Sequence, residues 1–82
     1  MNNRIKHGDR VKVDIFNEDG KLMGSHSGSD FDNLTDAIET SFTTVLPTAG
    51  DIRDYVFAVE NLTAGTSNRY RLNADEHVKL LE

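Results

Sequence analysis

Residues of catalytic type crowd together at one place in this chain, "GSHSGSD", Gly24 to Asp30, with Asp32 and Asp36 close behind. Serine beside histidine is the pairing of nucleophilic acyl transfer, and histidine with carboxylates can hold a metal. The spacing suits neither chemistry. "GSHSG" has the frame of the nucleophile elbow G-x-S-x-G, but His26 stands where the elbow needs its serine, and the elbow belongs to a much larger α/β sheet. Ser25 and Ser27 flank His26, so on a strand they point to the face opposite to it. The acids at 30, 32 and 36 resemble the start of a calcium loop. Such a loop needs glycine at its sixth position, where Thr35 stands, and glutamate at its twelfth, where Ser41 stands. No catalytic, cofactor-binding or metal-ligating set is therefore expected. His26 reads as a partly buried structural residue, and the acids as helix-capping groups.

The elements that must position this stretch are legible on either side of it. In "RVKVDIF", Val11, Val13 and Ile15 alternate with Lys12, Asp14 and Phe16, the pattern of a strand with one face buried. "NEDG" is a turn, and "KLMGSHS" returns from it. Closing the turn around Glu18 and Asp19 sets Phe16 opposite Lys21, Ile15 opposite Leu22 and Val11 opposite His26. Leu22 then joins the valines on the buried face. From Phe31 the period changes. Phe31, Leu34, Ala37, Ile38, Phe42 and Val45 recur at the spacing of one helix face, with Asp32 or Asn33 as cap and Pro47 as stop. "YVFAVENLTAGTSNRYRLN" reads as a second hairpin turning at Ala64 and Gly65, with Glu60 facing Arg69, Val59 facing Tyr70 and Phe57 facing Leu72. In "NADEHVKLLE" the N-x-x-E spacing of Asn73 and Glu76 favours a short terminal helix, with a fifth strand as the alternative.

The expected fold is thus a single α+β domain over residues 1–82. A four-stranded antiparallel sheet of two hairpins carries one amphipathic helix on one face, in the order ββαββ plus a short C-terminal helix. Residues 1–8 are expected to form a flexible basic arm. Residues 61–72 resemble the last hairpin of a fibronectin type III domain, but that sandwich needs about seven strands and has no central helix.

Composition narrows the function classes. The chain has 82 residues, no cysteine and three histidines, so neither disulfides nor cysteine-based zinc sites reinforce it. No apolar run approaches about 18 residues, and no apolar core follows the basic start, so neither a membrane span nor a signal peptide is expected and the cytoplasm is the expected location. The net charge of −5 is uneven: +3 over residues 1–12, −8 over 13–68, balanced beyond. Phosphate-backbone binding needs clustered cations, so a general nucleic-acid binder is not expected.

What remains is a small non-enzymatic accessory protein acting by protein–protein contact or self-association. Its expected surface is the sheet face opposite the helix, where both registers bring Phe16, Met23, Val56, Ala58, Arg69 and Arg71 together. The alternative is a nucleic-acid-linked protein that uses the Lys12, Arg69 and Arg71 face or an acidic surface imitating phosphate. The partner is an unknown protein or a second copy of the chain.

Overall fold

A computed structural model of the chain describes residues 4–81. In chain order it contains β1 (Val11–Phe16), β2 (Leu22–Gly28), α1 (Leu34–Val45), a 3-10 turn (Ile52–Asp54), β3 (Val56–Asn61), β4 (Thr66–Leu72) and β5 (Val78–Leu81). The strands form one antiparallel sheet in the order β2-β1-β3-β4-β5. It is a small α+β domain with one α-helix and five strands. The chain leaves the sheet at edge strand β2, crosses one face as α1, and re-enters at β3 on the far side of β1.

The core lies between α1 and the sheet. Val11, Val13, Ile15, Phe57 and Ile38 are fully buried there. Phe42 sets its ring 5.2 Å from Tyr55 and 6.2 Å from Phe57, joining the helix to β3. The helix starts where its sequence says it should. Asn33 is the cap, its Oδ1 accepting from the Asp36 N–H at 2.8 Å, while the Asp36 carboxylate accepts from the Asp32 N–H at 2.9 Å. This reciprocal arrangement satisfies otherwise orphaned donors and places Asp36 at the positive end of the helix dipole.

The C-terminal helix does not form; residues 78–81 are strand β5, paired with β4. The reason lies in the turn before it. The Asn73 Oδ1 accepts from the Asp75 and His77 N–H groups, both at 2.9 Å, and the Asn73 N–H donates to the His77 carbonyl. Asn17 makes the same bonds in the first hairpin: Oδ1 accepts from Asp19 and Lys21, and its N–H donates to the Lys21 carbonyl. Asn73 therefore ties a hairpin rather than capping a helix. The position before each closing residue is left-handed: Gly20 at φ 79° in the first turn, Glu76 at φ 62° in the second.

Both expected registers are displaced by two residues, except at Phe16, where an irregularity reduces the displacement to one. Val11 pairs with Gly28 and Val13 with His26, and Leu22 stands opposite Phe16, 52% exposed instead of in the core. In the second hairpin Phe57 pairs with Tyr70, Ala58 with Arg69 and Glu60 with Ser67, so Glu60 does not face Arg69. The cause is again an asparagine. Asn61, buried in the sheet, accepts from the Thr63 and Ala64 N–H groups and holds a turn over Leu62–Gly65, longer than the two-residue turn expected.

The expected flexible arm is anchored over its second half. Ile5 is part of the core, and the Gly8 N–H donates to the Ser29 carbonyl at 2.9 Å. Asp9 accepts from Asn61 Nδ2 at 2.9 Å and from the Lys6 N–H at 3.1 Å, and these bonds hold its carboxyl below the usual range. Residues 1–3 lie outside the described residues.

Candidate functional site

The stretch that carries histidine, serines and acids is part of the scaffold. Gly24, His26 and Gly28 alternate on the face toward α1, opposite Ile15, Val13 and Val11. The His26 ring stands edge-on to Phe31 at 5.9 Å. A side chain at position 24 would meet Val45 Cγ1 at 2.4 Å, so glycine there lets the end of the helix approach β2. Ser25 and Ser27 project from the other face, and the Ser25 hydroxyl donates to the Asp14 carboxylate. Asp36 is engaged by the Asp32 N–H and the Thr40 hydroxyl, leaving it a capping group. Among the described residues no three histidine, aspartate or glutamate side chains converge on a metal position.

A groove of about 520 Å³ lies between α1 and the 3-10 turn, lined by Glu39, Phe42, Ile52, Arg53 and Glu76 among others. Its one cation is occupied structurally. Arg53 Nε donates to Asp51 Oδ1 at 2.9 Å, its Nη2 pairs with Oδ2, and its Nη1 donates to the Ala74 carbonyl at 2.9 Å. The guanidinium thereby latches the turn to the β4–β5 loop and brings the Asp51 carboxyl down to about 2.

The face away from α1 is built differently. The observed pairings align its side chains in rows across the strands. One row runs Ser25, Asp14, Ala58, Arg69, Leu81; the next runs Leu22, Phe16, Val56. Continued by one residue, the β3–β4 register sets Arg71 beside Val56, and Arg71 pairs with Lys79. The third row is Ser27, Lys12, Glu60, Ser67.

Five of the six residues expected to share this face therefore do so: Phe16, Val56, Ala58, Arg69 and Arg71. Met23, next to Gly24 of the core side, joins them by alternation and is 38% exposed. The pairing slips by one residue between Ile15 and Phe16, and this irregularity turns Leu22 to the open side as well. Phe16, Val56 and Ala58 are only half-buried, although they sit in interior strands. The C-terminal segment does not lie over them, because β5 extends the same sheet at its edge.

Leu22, Lys79 and Leu81 also belong to this face: the register expected from the sequence places Leu22 in the core, and Lys79 and Leu81 arrive with β5. The repeated Asn-x-Asp of "NED" and "NAD" was a usable signal for the second of these turns. Arg69, Arg71 and Lys79 cluster on β4 and β5, and with Lys12 they outnumber Asp14 and Glu60, so this face is cationic in a chain of net charge −5.

No family model matches the chain, and no solved structure matches it. It is similar to a stretch of the genome polyprotein of Blackberry virus Y (isolate Blackberry plant/USA:Arkansas/C3ARK/2005), at 35% identity over 79 residues covering 87% of the chain. The chain spans 2% of the length of that polyprotein. No helix among the described residues is long and apolar enough to cross a membrane.

Proposed function

We propose that this chain is a small non-enzymatic accessory protein that acts by binding a protein surface through the open face of its sheet. What carries the reading is the apolar strip of Leu22, Met23, Phe16, Val56 and Ala58 on three adjacent strands, on the face that α1 leaves uncovered. Among the described residues no helix or strand lies over them, since α1 and the core are on the other side. Apolar side chains rimmed by Lys12, Asp14, Glu60, Arg69 and Arg71 have the anatomy of a contact patch. A cytoplasmic setting belongs to this reading, in keeping with a fold that needs no disulfide.

Met23→Glu tests it. Met23 is exposed at an irregular edge, so the substitution should leave the fold intact while placing a charge in the strip. The variant should lose self-association in light scattering and lose partners retained from an extract of the source cells. A folded Met23→Glu protein that keeps every association removes the surface from consideration. The nucleic-acid alternative gains one observation, since Lys79 joins Arg69 and Arg71 on the same face. Affinity for nucleic acid that falls steeply with salt would favour it.

A further inference from the structure

Charge on the open face is answered on one side of the sheet and not on the other. Lys12 lies 3.9 Å from the Asp14 carboxylate, to which the Ser25 hydroxyl also donates, so both charges find partners within the chain. On β4 and β5, Arg69, Arg71 and Lys79 are exposed, and none of them pairs with a carboxylate among the described residues. Arg71 stands directly opposite Lys79, and like charges so placed on paired strands repel. Against these three cations the face holds one further carboxylate, Glu60, on β3 opposite Ser67. The apolar strip adjoins the cations, since Phe16 and Val56 lie in the row that continues through Arg71 to Lys79.

On the reading of the open face as a contact surface, we infer that its partner is an acidic amphipathic helix of another protein. The helix lies along β3, with its apolar side on Phe16, Val56 and Ala58 and its carboxylates over Arg69, Arg71 and Lys79. Charge complementarity selects the acid. A second copy would bring one cationic face against another, whereas a carboxylate set between Arg71 and Lys79 relieves their repulsion. Backbone bonding selects the helix. β1, β3 and β4 each have a strand bonded on both sides, so a segment on this face finds no free backbone groups beneath it. A helix satisfies its own backbone and an extended segment there does not.

The dimensions agree. Arg69 and Arg71 are two residues apart on one strand, about 6.8 Å, and carboxylates four residues apart on a helix are separated by about 6 Å along its axis. Across the sheet, β1 and β4 are two strand spacings apart, about 9.6 Å, and a helix with its side chains is about 10–12 Å wide. Centred over β3, it reaches apolar side chains on one flank and cations on the other. Nucleic acid fits this face less well. Phe16 is the one aromatic in its rows and is half-buried, and Leu22, Met23 and Val56 offer a phosphate backbone nothing.

The test is a selection of phage-displayed random peptides, about 16 residues long to match the length of β4, on the immobilised full chain. Retained peptides should carry Asp or Glu at i and i+4 beside an apolar stripe at i, i+3 and i+7. A synthetic peptide of the selected sequence should gain helical circular dichroism on mixing. It should also shift amides of β1, β3 and β4 in NMR spectra, which report the folding of each variant as well. Arg69→Glu with Arg71→Glu should weaken its binding at least about tenfold, and added salt should weaken it too. Arg69→Lys with Arg71→Lys keeps the charge and should weaken it less than about threefold. Arg69→Gln with Arg71→Gln replaces the reversed pair if that variant does not fold.

Selected peptides without acidic bias, or affinity unchanged in the charge-reversed chain, overturn the acidic helix. If such peptides still shift the open-face amides and are lost in Met23→Glu, the contact surface stands with a different occupant. A library that yields no binder overturns the inference and leaves the wider reading to the Met23→Glu experiment. Oligouridine of about 20 nucleotides that binds this face more tightly than any selected peptide, with affinity falling steeply with salt, assigns the cations to nucleic acid and overturns it as well.

Discussion

Replacing Glu76 by glycine should stabilise the domain, and the structure supplies the reason and the size. Glu76 has φ 62° in a turn whose bonds repeat those around Asn17, where the same position is Gly20 at φ 79°. A residue with a Cβ gives up about 1–2 kcal/mol in the left-handed region. Glycine avoids that strain but loses about 0.5–1 kcal/mol more chain entropy on folding. The midpoints leave a gain of about 0.75 kcal/mol, with about 1.5 kcal/mol as the upper bound. For a domain of this size that raises the melting temperature by about 2–8 °C. Differential scanning calorimetry and urea unfolding of the parent, Glu76→Gly and Glu76→Ala give the answer. Alanine removes the carboxylate and keeps the strain, so it isolates the charge of Glu76 near Arg53. Glu76→Gly should exceed Glu76→Ala in urea midpoint. Equal midpoints would refute the left-handed turn, and with it the account of why the chain ends in a strand.

Phe42→Ala removes the ring that meets Tyr55 and Phe57. It should cost about 3–5 kcal/mol of the roughly 5–15 kcal/mol a small domain has. The variant should be partly or wholly unfolded at room temperature by circular dichroism, and an unchanged urea midpoint would contradict the packing. Asp51 offers a pH test. Its folded carboxyl is brought from the ordinary 3.8 to about 2 by Arg53, so its contribution is present above about pH 4 and lost as pH falls through about 2. Asp51→Asn should therefore lose less stability than the parent between pH 4 and 2. Parallel acid limbs in melting temperature would show that the latch contributes nothing.

Alternation in β1 and the helical stripe from Phe31 to Val45 were legible because each follows one period, and the period fixes which side chains are buried. The asparagine turns were not. Turn composition alone does not distinguish a two-residue loop from a longer one, and the side chains of Asn17 and Asn61 decided the matter through bonds to backbone amides. The candidate face survived that error for a geometric reason. A register displaced by two residues keeps every side chain on its own side of the sheet, so Phe16, Val56, Ala58, Arg69 and Arg71 came together regardless. Leu22 did not, because the irregularity beside Phe16 reversed its side. The last strand was hidden by ambiguity. N-x-x-E is a helix-capping spacing, and the Asn73 bonds to Asp75 and His77, with the positive φ of Glu76, select the hairpin instead.

The seam between β1 and β3 has a consequence for how quickly the chain reaches this structure. Each outer hairpin joins strands that are neighbours in sequence, and α1 forms from local contacts. The central pairing instead joins Val11 to Asn61 and Phe16 to Val56, and the bond from the Arg10 N–H to the Thr63 hydroxyl spans 53 residues. Closing such a loop costs entropy before any contact across it is returned, which slows folding relative to helical domains of equal length. The hairpins on either side of it and the helix can flicker into place early, but the sheet becomes one sheet only when this seam closes. Until then the apolar sides of β1 and β3 are open along their edges, and the rate of that closure sets how long the chain is exposed to aggregation.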